Sequence, residues 1–329
     1  MTNALAIDQG EEWLSPTRAW RLTECPASEG AGVKGTAVAT MPEVNTGTLA
    51  HRVLERWIVG EGYRAENPRQ TLSAAIDECV AELAGDLPIG WALARARLLV
   101  RGTGLAALLG ERSPDEVIPE RELKDPELRL RGTPDLVLLG DEVTLIDLKT
   151  QTFVEEDVPD WVRFQLTIYA HLVELVYGSR PDRVEVFSLN RGQIPVEITD
   201  DGLKEALRAV SSARELDRHD AKPEESVCYF CRRRLGCQPH WDAANTWPDA
   251  DGVQGTIRRI EEAATGVVAV LVETVDKEVW VAGVPGALMA GSPGDQVRLI
   301  RLGRTRTNAS GLIGQRWARF SSLLITPPA

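Results

Sequence analysis

Residues 128–150 read LRLRGTPDLVLLGDEVTLIDLKT. Two aliphatic runs, 136–139 and 143–146, flank Gly140-Asp141-Glu142, the pattern of two strands joined by a short glycine-containing turn. Pairing Leu139 with Val143 across that turn places Asp135 opposite Asp147. Carboxylates facing each other across antiparallel strands repel, so the pair is unfavourable unless something positive lies between them. A divalent cation turns that repulsion into coordination, because hard cations take carboxylate oxygens. Lys149 follows Asp147 by two residues, so both side chains leave the strand on one face. The hairpin therefore gathers two acids and an ammonium at one point, the outline of a metal-assisted hydrolysis site. An Asp-x-Lys on a strand is more often a solvated ion pair. Here the strand, 143–148, is otherwise apolar, and charges are rarely placed in buried strands.

The 329-residue chain is long enough for two domains with ample core. No run of about 18 apolar residues occurs, so no transmembrane helix is expected. The N-terminus MTNALAIDQGEEW has neither a basic segment nor an apolar one, unlike a signal peptide, and a cytoplasmic location is expected. The five cysteines are odd in number and mostly clustered, which points to a metal rather than a disulfide framework. A net charge of −12 argues against general affinity for nucleic acid. The charge is uneven, however. Residues 296–329 carry six arginines and no Asp or Glu: Arg298, Arg301, Arg304, Arg306, Arg316 and Arg319. Arg232, Arg233 and Arg234 form a second basic cluster, and local patches decide where a phosphate backbone can lie.

Along the chain, residues 1–12 read as a flexible tail. Ser15-Pro16 opens a helix that runs to Cys25-Pro26, Ser as N-cap and Pro in the first turn. Residues 27–43, rich in Gly and Ala, read as a loop. Helices are expected over 46–59, 71–84, 89–109, 161–177 and 201–216, and strands over 183–189 and 193–198. His51 and Glu55 share one helix face at i and i+4, as do Gln165 and Tyr169. Helices mixed with antiparallel hairpins indicate an α/β core over 13–241. Residues 242–251, DAANTWPDAD, read as a linker. Beyond it, 252–329 shows five short strands with one helical turn before the fourth, the pattern of a small β-barrel of the OB type.

These motifs resemble the RecB-like branch of the PD-(D/E)XK nuclease superfamily, particularly its iron–sulfur members, similar to the AddB nuclease domain and the CRISPR-adaptation nucleases. The pieces stand in order: the SPTRAWRLTECP helix ending in Cys25, Gly47-x3-His51-x3-Glu55, Gly132-x2-Asp135, Asp147-x-Lys149, Gln165-x3-Tyr169 and Cys228-x2-Cys231-x5-Cys237. The resemblance implies a restriction-endonuclease-like core with helical insertions. It implies that His51, Asp135, Asp147 and the Leu148 carbonyl bind Mg²⁺ or Mn²⁺. Lys149 would position the attacking water and stabilise phosphate charge, while Gln165 and Tyr169 hold the substrate backbone or Lys149 itself. The family more often has Glu where this chain has Asp147.

The resemblance also implies a [4Fe–4S] cluster on Cys25, Cys228, Cys231 and Cys237. A local zinc site of Cys228, Cys231, Cys237 and His240 has workable spacing too. Cys79, among apolar helix neighbours, reads as a core residue. In the last domain, Arg298, Arg301, Arg304, Arg306, Arg316 and Arg319 with Trp317 and Phe320 suit a groove that tracks a phosphate backbone and stacks bases. The implied function is a metal-dependent DNA nuclease acting on single strands or strand ends, with a helicase or a recombination or adaptation protein as possible partner. The rivals are a non-cleaving DNA clamp on the same fold and a redox-responsive regulator.

Overall fold

In this computed structural model, the residues described are 13–29, 36–39, 45–150, 157–247, 251–304, 314–318 and 320–326. For 36–39 and Arg304 the backbone alone is described. Chain order begins α1 (Pro16–Glu24), β1 (Thr36–Ala39), α2 (Thr46–Val59), α3 (Pro68–Ala81) and α4 (Trp91–Gly110). Then come β2 (Val117–Pro119), β3 (Leu123–Asp125), β4 (Leu130–Gly132), β5 (Leu136–Leu138), β6 (Thr144–Lys149) and α5 (Asp160–Tyr177). β7 (Arg183–Ser188), β8 (Gly192–Pro195), α6 (Asp200–Glu215), α7 (Glu225–Phe230) and α8 (Gln238–Ala244) follow. The last strands are β9 (Val253–Glu262), β10 (Val267–Glu273), β11 (Glu278–Pro285), β12 (Gln296–Ile300), β13 (Gly303–Arg304), β14 (Gly314–Arg316) and β15 (Ser322–Thr326).

Contacts divide the chain into two compact units, Met1–Thr23 with Pro42–Leu216, and Glu24–Met41 with Asp217–Ala329. The first holds a five-stranded sheet in the order β2-β5-β6-β7-β8. Leu136, Val137 and Leu138 pair antiparallel with Ile146, Leu145 and Thr144. This is the register that sets Asp135 opposite Asp147. β6 then runs parallel to β7, and α5 supplies the crossover such a pair requires. Strand alternation splits β6 between two cores. Leu145 joins the cluster built on α5, and Ile146 and Leu148 join the one built on α2, α3 and α4. Apolar side chains on both faces make β6 a fully buried strand, so its two ionisable residues sit in a poorly solvated setting. Cys79 lies in the α2–α3–α4 core, as its apolar neighbours imply. Helix starts follow their caps: Asn45 accepts from the Thr48 N–H, Asn67 from Gln70 and Thr199 from Gly202.

The second unit departs from the five-stranded barrel expected of its sequence. Its sheet has eight strands in the order β1-β15-β12-β9-β10-β11-β14-β13, and no pairing among the described residues closes it. β9 is long enough to pair with both β12 and β10, bending where the register shifts between Leu271 and Val272. Residues 27–43, read as a loop, contribute β1, which covers the outer edge of β15. α8 extends through Ala244, into the stretch read as a linker. Val253, Ile257, Val270, Val281, Leu299 and Leu323 fill the core of this unit.

Candidate metal and active site

The hairpin, α2 and α5 bring most of the expected site residues together. From α2, His51 Nδ1 lies 3.0 Å from Asp135 Oδ1 and 3.7 Å from Glu120 Oε1. Asp135 Oδ2 accepts the Leu148 N–H, which ties the start of one hairpin strand to the end of the other. Ligand atoms of His51, Glu120 and Asp135 all fall within 4.8 Å of one another, a set able to hold a cation. A cavity of about 30 Å³, lined by these three and Glu55, opens beside them. Asp147, 2 % exposed, stands outside that set. Its Oδ2 is ion-paired with Lys149 Nζ at 2.6 Å.

Lys149 is positioned from three sides. Its ammonium donates to Gln165 Oε1 at 3.2 Å, and Gln165 Nε2 donates to the Tyr169 hydroxyl at 3.0 Å. The Trp161 ring lies 5.3 Å away, close enough for a cation–π contact. The glycine of Gly132-x2-Asp135 has a steric reason. A Cβ there would meet the Tyr169 ring at 2.6 Å, so only glycine lets Tyr169 lie against β4.

Glu120 escaped the sequence reading. It follows β2 with φ +46, a left-handed conformation uncommon outside glycine and often found at functional sites. Its N–H donates to the Asp135 carbonyl, which brings its carboxylate to His51. The one sequence signal was an acid at the end of a strand beside the hairpin, and that is too common to stand out.

The site's protonation records a surplus of buried negative charge. Burial alone would lower the pKa of His51, but Asp135, Glu120 and the charge of Asp147 override it and raise it to about 10. Burial raises Asp147 to about 6, with Asp135 adding to the rise and Lys149 opposing it. Burial lifts Glu120 and Tyr169 as well. Two carboxylates and one imidazole suit a hard or borderline divalent ion such as Mg²⁺ or Mn²⁺, and imidazole leans the set toward Mn²⁺.

A second site lies in the other unit. Cys25, Cys228, Cys231 and Cys237 line one cavity of about 250 Å³, together with Arg218, Arg233, Arg234, His219 and His240, and no Asp or Glu among the described residues lines it. All four are free thiols, and burial pushes Cys228 up to about 11. His240 is buried with Nδ1 lacking a partner, and burial pushes it down to about 4. Among the described residues, no three of these sulfur and imidazole ligand atoms lie within 4.8 Å of one another. Tetrahedral zinc, at Zn–S of about 2.3 Å, draws its sulfurs to about 3.8 Å apart. The four thiols share one cavity with three arginines, whose charge suits thiolates.

The C-terminal arginines with described side chains differ in setting. Arg298 lies over the Trp241 ring at 5.6 Å and donates to Gln254 and Gln238. Arg301 is half-buried, Arg316 is exposed on β14, and Trp317 packs on the core of its unit. Phe320 is exposed. Arg304 is placed on β13 by its backbone, and Arg306 and Arg319 lie outside the described residues.

A family model of the PD-(D/E)XK nuclease superfamily matches residues 13–238. No curated protein matches the chain. Among solved structures, the chain is similar to a candidate exonuclease from Eubacterium rectale at 12 % identity and TM-score 0.40, over 65 % of this chain and 84 % of that one. SSO0001 follows at 15 % identity and TM-score 0.30, over 67 % and 95 %. A murine DNA-binding protein bound to double-stranded DNA matches at 12 % and 0.22, over 65 % and 93 %. These structural likenesses are distant and say nothing of its activity. The family match spans well over half of the 329 residues and contains the whole site from His51 to Tyr169: the chain belongs to the PD-(D/E)XK nuclease superfamily.

Proposed function

We propose that the protein is a divalent-metal-dependent DNA nuclease of the RecB-like branch, acting on single strands or strand ends. The observation that carries this reading is the buried Asp147–Lys149 pair set beside His51, Glu120 and Asp135. So many acids are not gathered around one histidine for stability, since burying charge without a cation to balance it is unfavourable. Mg²⁺ or Mn²⁺ held by His51, Asp135 and Glu120, with Asp147 and the Leu148 carbonyl turned to it, would supply Lewis acidity and an activated water. Lys149 would donate to a non-bridging phosphate oxygen where charge builds up, and Gln165 and Tyr169 would keep its ammonium in place.

The four-cysteine cavity we read as the seat of a structural [4Fe–4S] cluster. Zinc on Cys228, Cys231, Cys237 and His240 is the weaker reading, because the cavity gathers Cys25 as a fourth thiol beside the other three. The second unit would then be a nucleic-acid grip, which a helicase or a recombination or adaptation protein could extend. The test is Mn²⁺-dependent cleavage of end-labelled single- and double-stranded DNA by the intact protein and by Asp147→Ala. Cleavage lost in the variant supports the site, and the product ladder gives the preferred strand form. Tight binding without cleavage in Mg²⁺ or Mn²⁺, with iron at full content, would sink the nuclease reading in favour of a clamp.

A further inference from the structure

Within the second unit, two aromatic rings stand out in water. Phe230 is 73 % exposed and Tyr229 is 50 % exposed, and their rings meet edge to face at 4.9 Å. They end α7 between two of the cavity cysteines, in the order Cys228-Tyr229-Phe230-Cys231. Large apolar groups exposed side by side are uncommon and usually mark a contact surface. The surroundings are basic. Arg232 is exposed just past Cys231, while Arg234, buried and ion-paired with Asp251 at 2.7 Å, supports the Tyr229 ring from beneath at 5.6 Å. Glu224 and Glu225 open the helix one turn earlier and leave the Tyr229–Arg232 end cationic.

We infer that Tyr229 and Phe230, with the exposed Arg232 beside them, form a stacking surface for single-stranded nucleic acid, a reading that rests on the nuclease assignment above. Bases of a single strand present a π-face to any exposed aromatic, and arginine meets the phosphates between them. Two features make the surface effective. The Cys231 N–H donates to the Cys228 carbonyl, so the pair is carried on a closed turn. Any group bound by those cysteines would stiffen the turn further, and a preorganised ring loses little freedom on binding. Such a platform needs no base-specific hydrogen bond, so binding should be indifferent to sequence.

The test is the affinity of the full-length protein for a fluorescein-labelled oligothymidine, by anisotropy in EDTA, for wild type, Phe230→Ala, Tyr229→Ala, Phe230→Trp and Arg232→Gln. Each alanine variant should bind about 5- to 150-fold more weakly, the effect of losing one base stack of about 1–3 kcal/mol. Phe230→Trp should bind as wild type does, and Arg232→Gln should flatten the dependence on salt by about one phosphate contact. Iron content and Mn²⁺-dependent hydrolysis of bis(p-nitrophenyl) phosphate, a substrate with no base to stack, should be unchanged in the Phe230 variants. Alanine variants that bind the oligonucleotide as tightly as wild type would overturn the inference and leave the pair to a protein partner. Failure of wild type to hydrolyse the small diester would count against the nuclease reading instead.

Discussion

At the scale of single residues, the site depends on which group balances the buried acids. His51 does so as an imidazolium and Lys149 as an ammonium. A histidine donates electrons to a metal only when neutral, so a cation at His51 has to displace a proton. The signs are set by the two shifts. His51 is raised from 6.5 to about 10, so its pairing stabilises the metal-free protein fully below 6.5 and is lost as pH climbs toward 10. Asp147 is raised from 3.8 to about 6, so its contribution is lost over that lower window. Rising pH therefore weakens the metal-free protein while it favours metal. Between about pH 7 and pH 9, Mn²⁺ affinity should rise about tenfold per pH unit, with about one proton released per ion. Calorimetry in buffers of different ionisation enthalpy measures that proton directly. His51→Gln should abolish the slope, and release of no proton by wild type would remove His51 from the ligand set.

At the scale of elements, the nuclease unit was largely legible because its signals are local. The turn at Gly140 fixed the register of β5 and β6, and Asn45 placed the start of α2. What could not be read depends on partners far along the chain. β1 is a strand only because Ser322–Thr326 presents an edge to it, and nothing in a Gly- and Ala-rich stretch announces that edge. Glu120 becomes a ligand candidate only through a left-handed backbone and a bond to the Asp135 carbonyl, both products of tertiary structure. The open sheet was missed for a similar reason: short strands give their number and length, while closure depends on which edges meet. Gly132 belongs to this scale as well. It was legible as part of a motif, yet its reason lies in α5, where the Tyr169 ring would sit 2.6 Å from an added Cβ. Gly132→Ala should destabilise by about 1–3 kcal/mol through overpacking. It should also lower the turnover number more than it raises KM, because displacing Tyr169 loosens Gln165 and Lys149 in turn. Thermal unfolding read alongside steady-state kinetics checks both. A stable variant with wild-type turnover would mean that the Tyr169–Gln165–Lys149 chain has no part in holding the ammonium.

At the scale of the whole molecule, the two chemistries fall in different units. Every residue of the His51–Tyr169 site lies in the first, and every cysteine of the cavity lies in the second, Cys25 included, because Glu24–Met41 clusters with Asp217–Ala329. The thiols join a segment near the start of the chain to one some two hundred residues later, and closing so long a loop removes much of the freedom of the unfolded chain. By that logic a group bound at Cys25, Cys228, Cys231 and Cys237 acts as a cross-link of the second unit and takes no part in the chemistry of the first. Cys231→Ser should then lower bound iron and destabilise the second unit by about 2–5 kcal/mol, the range for losing a native cross-link. Hydrogen exchange resolves where the loss falls. Protection should drop in α7, α8 and β1, and persist in β6 and α5, with Mn²⁺-dependent hydrolysis of bis(p-nitrophenyl) phosphate retained. Loss of protection in β6 together with that activity would show instead that the cysteine-bearing unit is needed to hold the nuclease site in its active geometry.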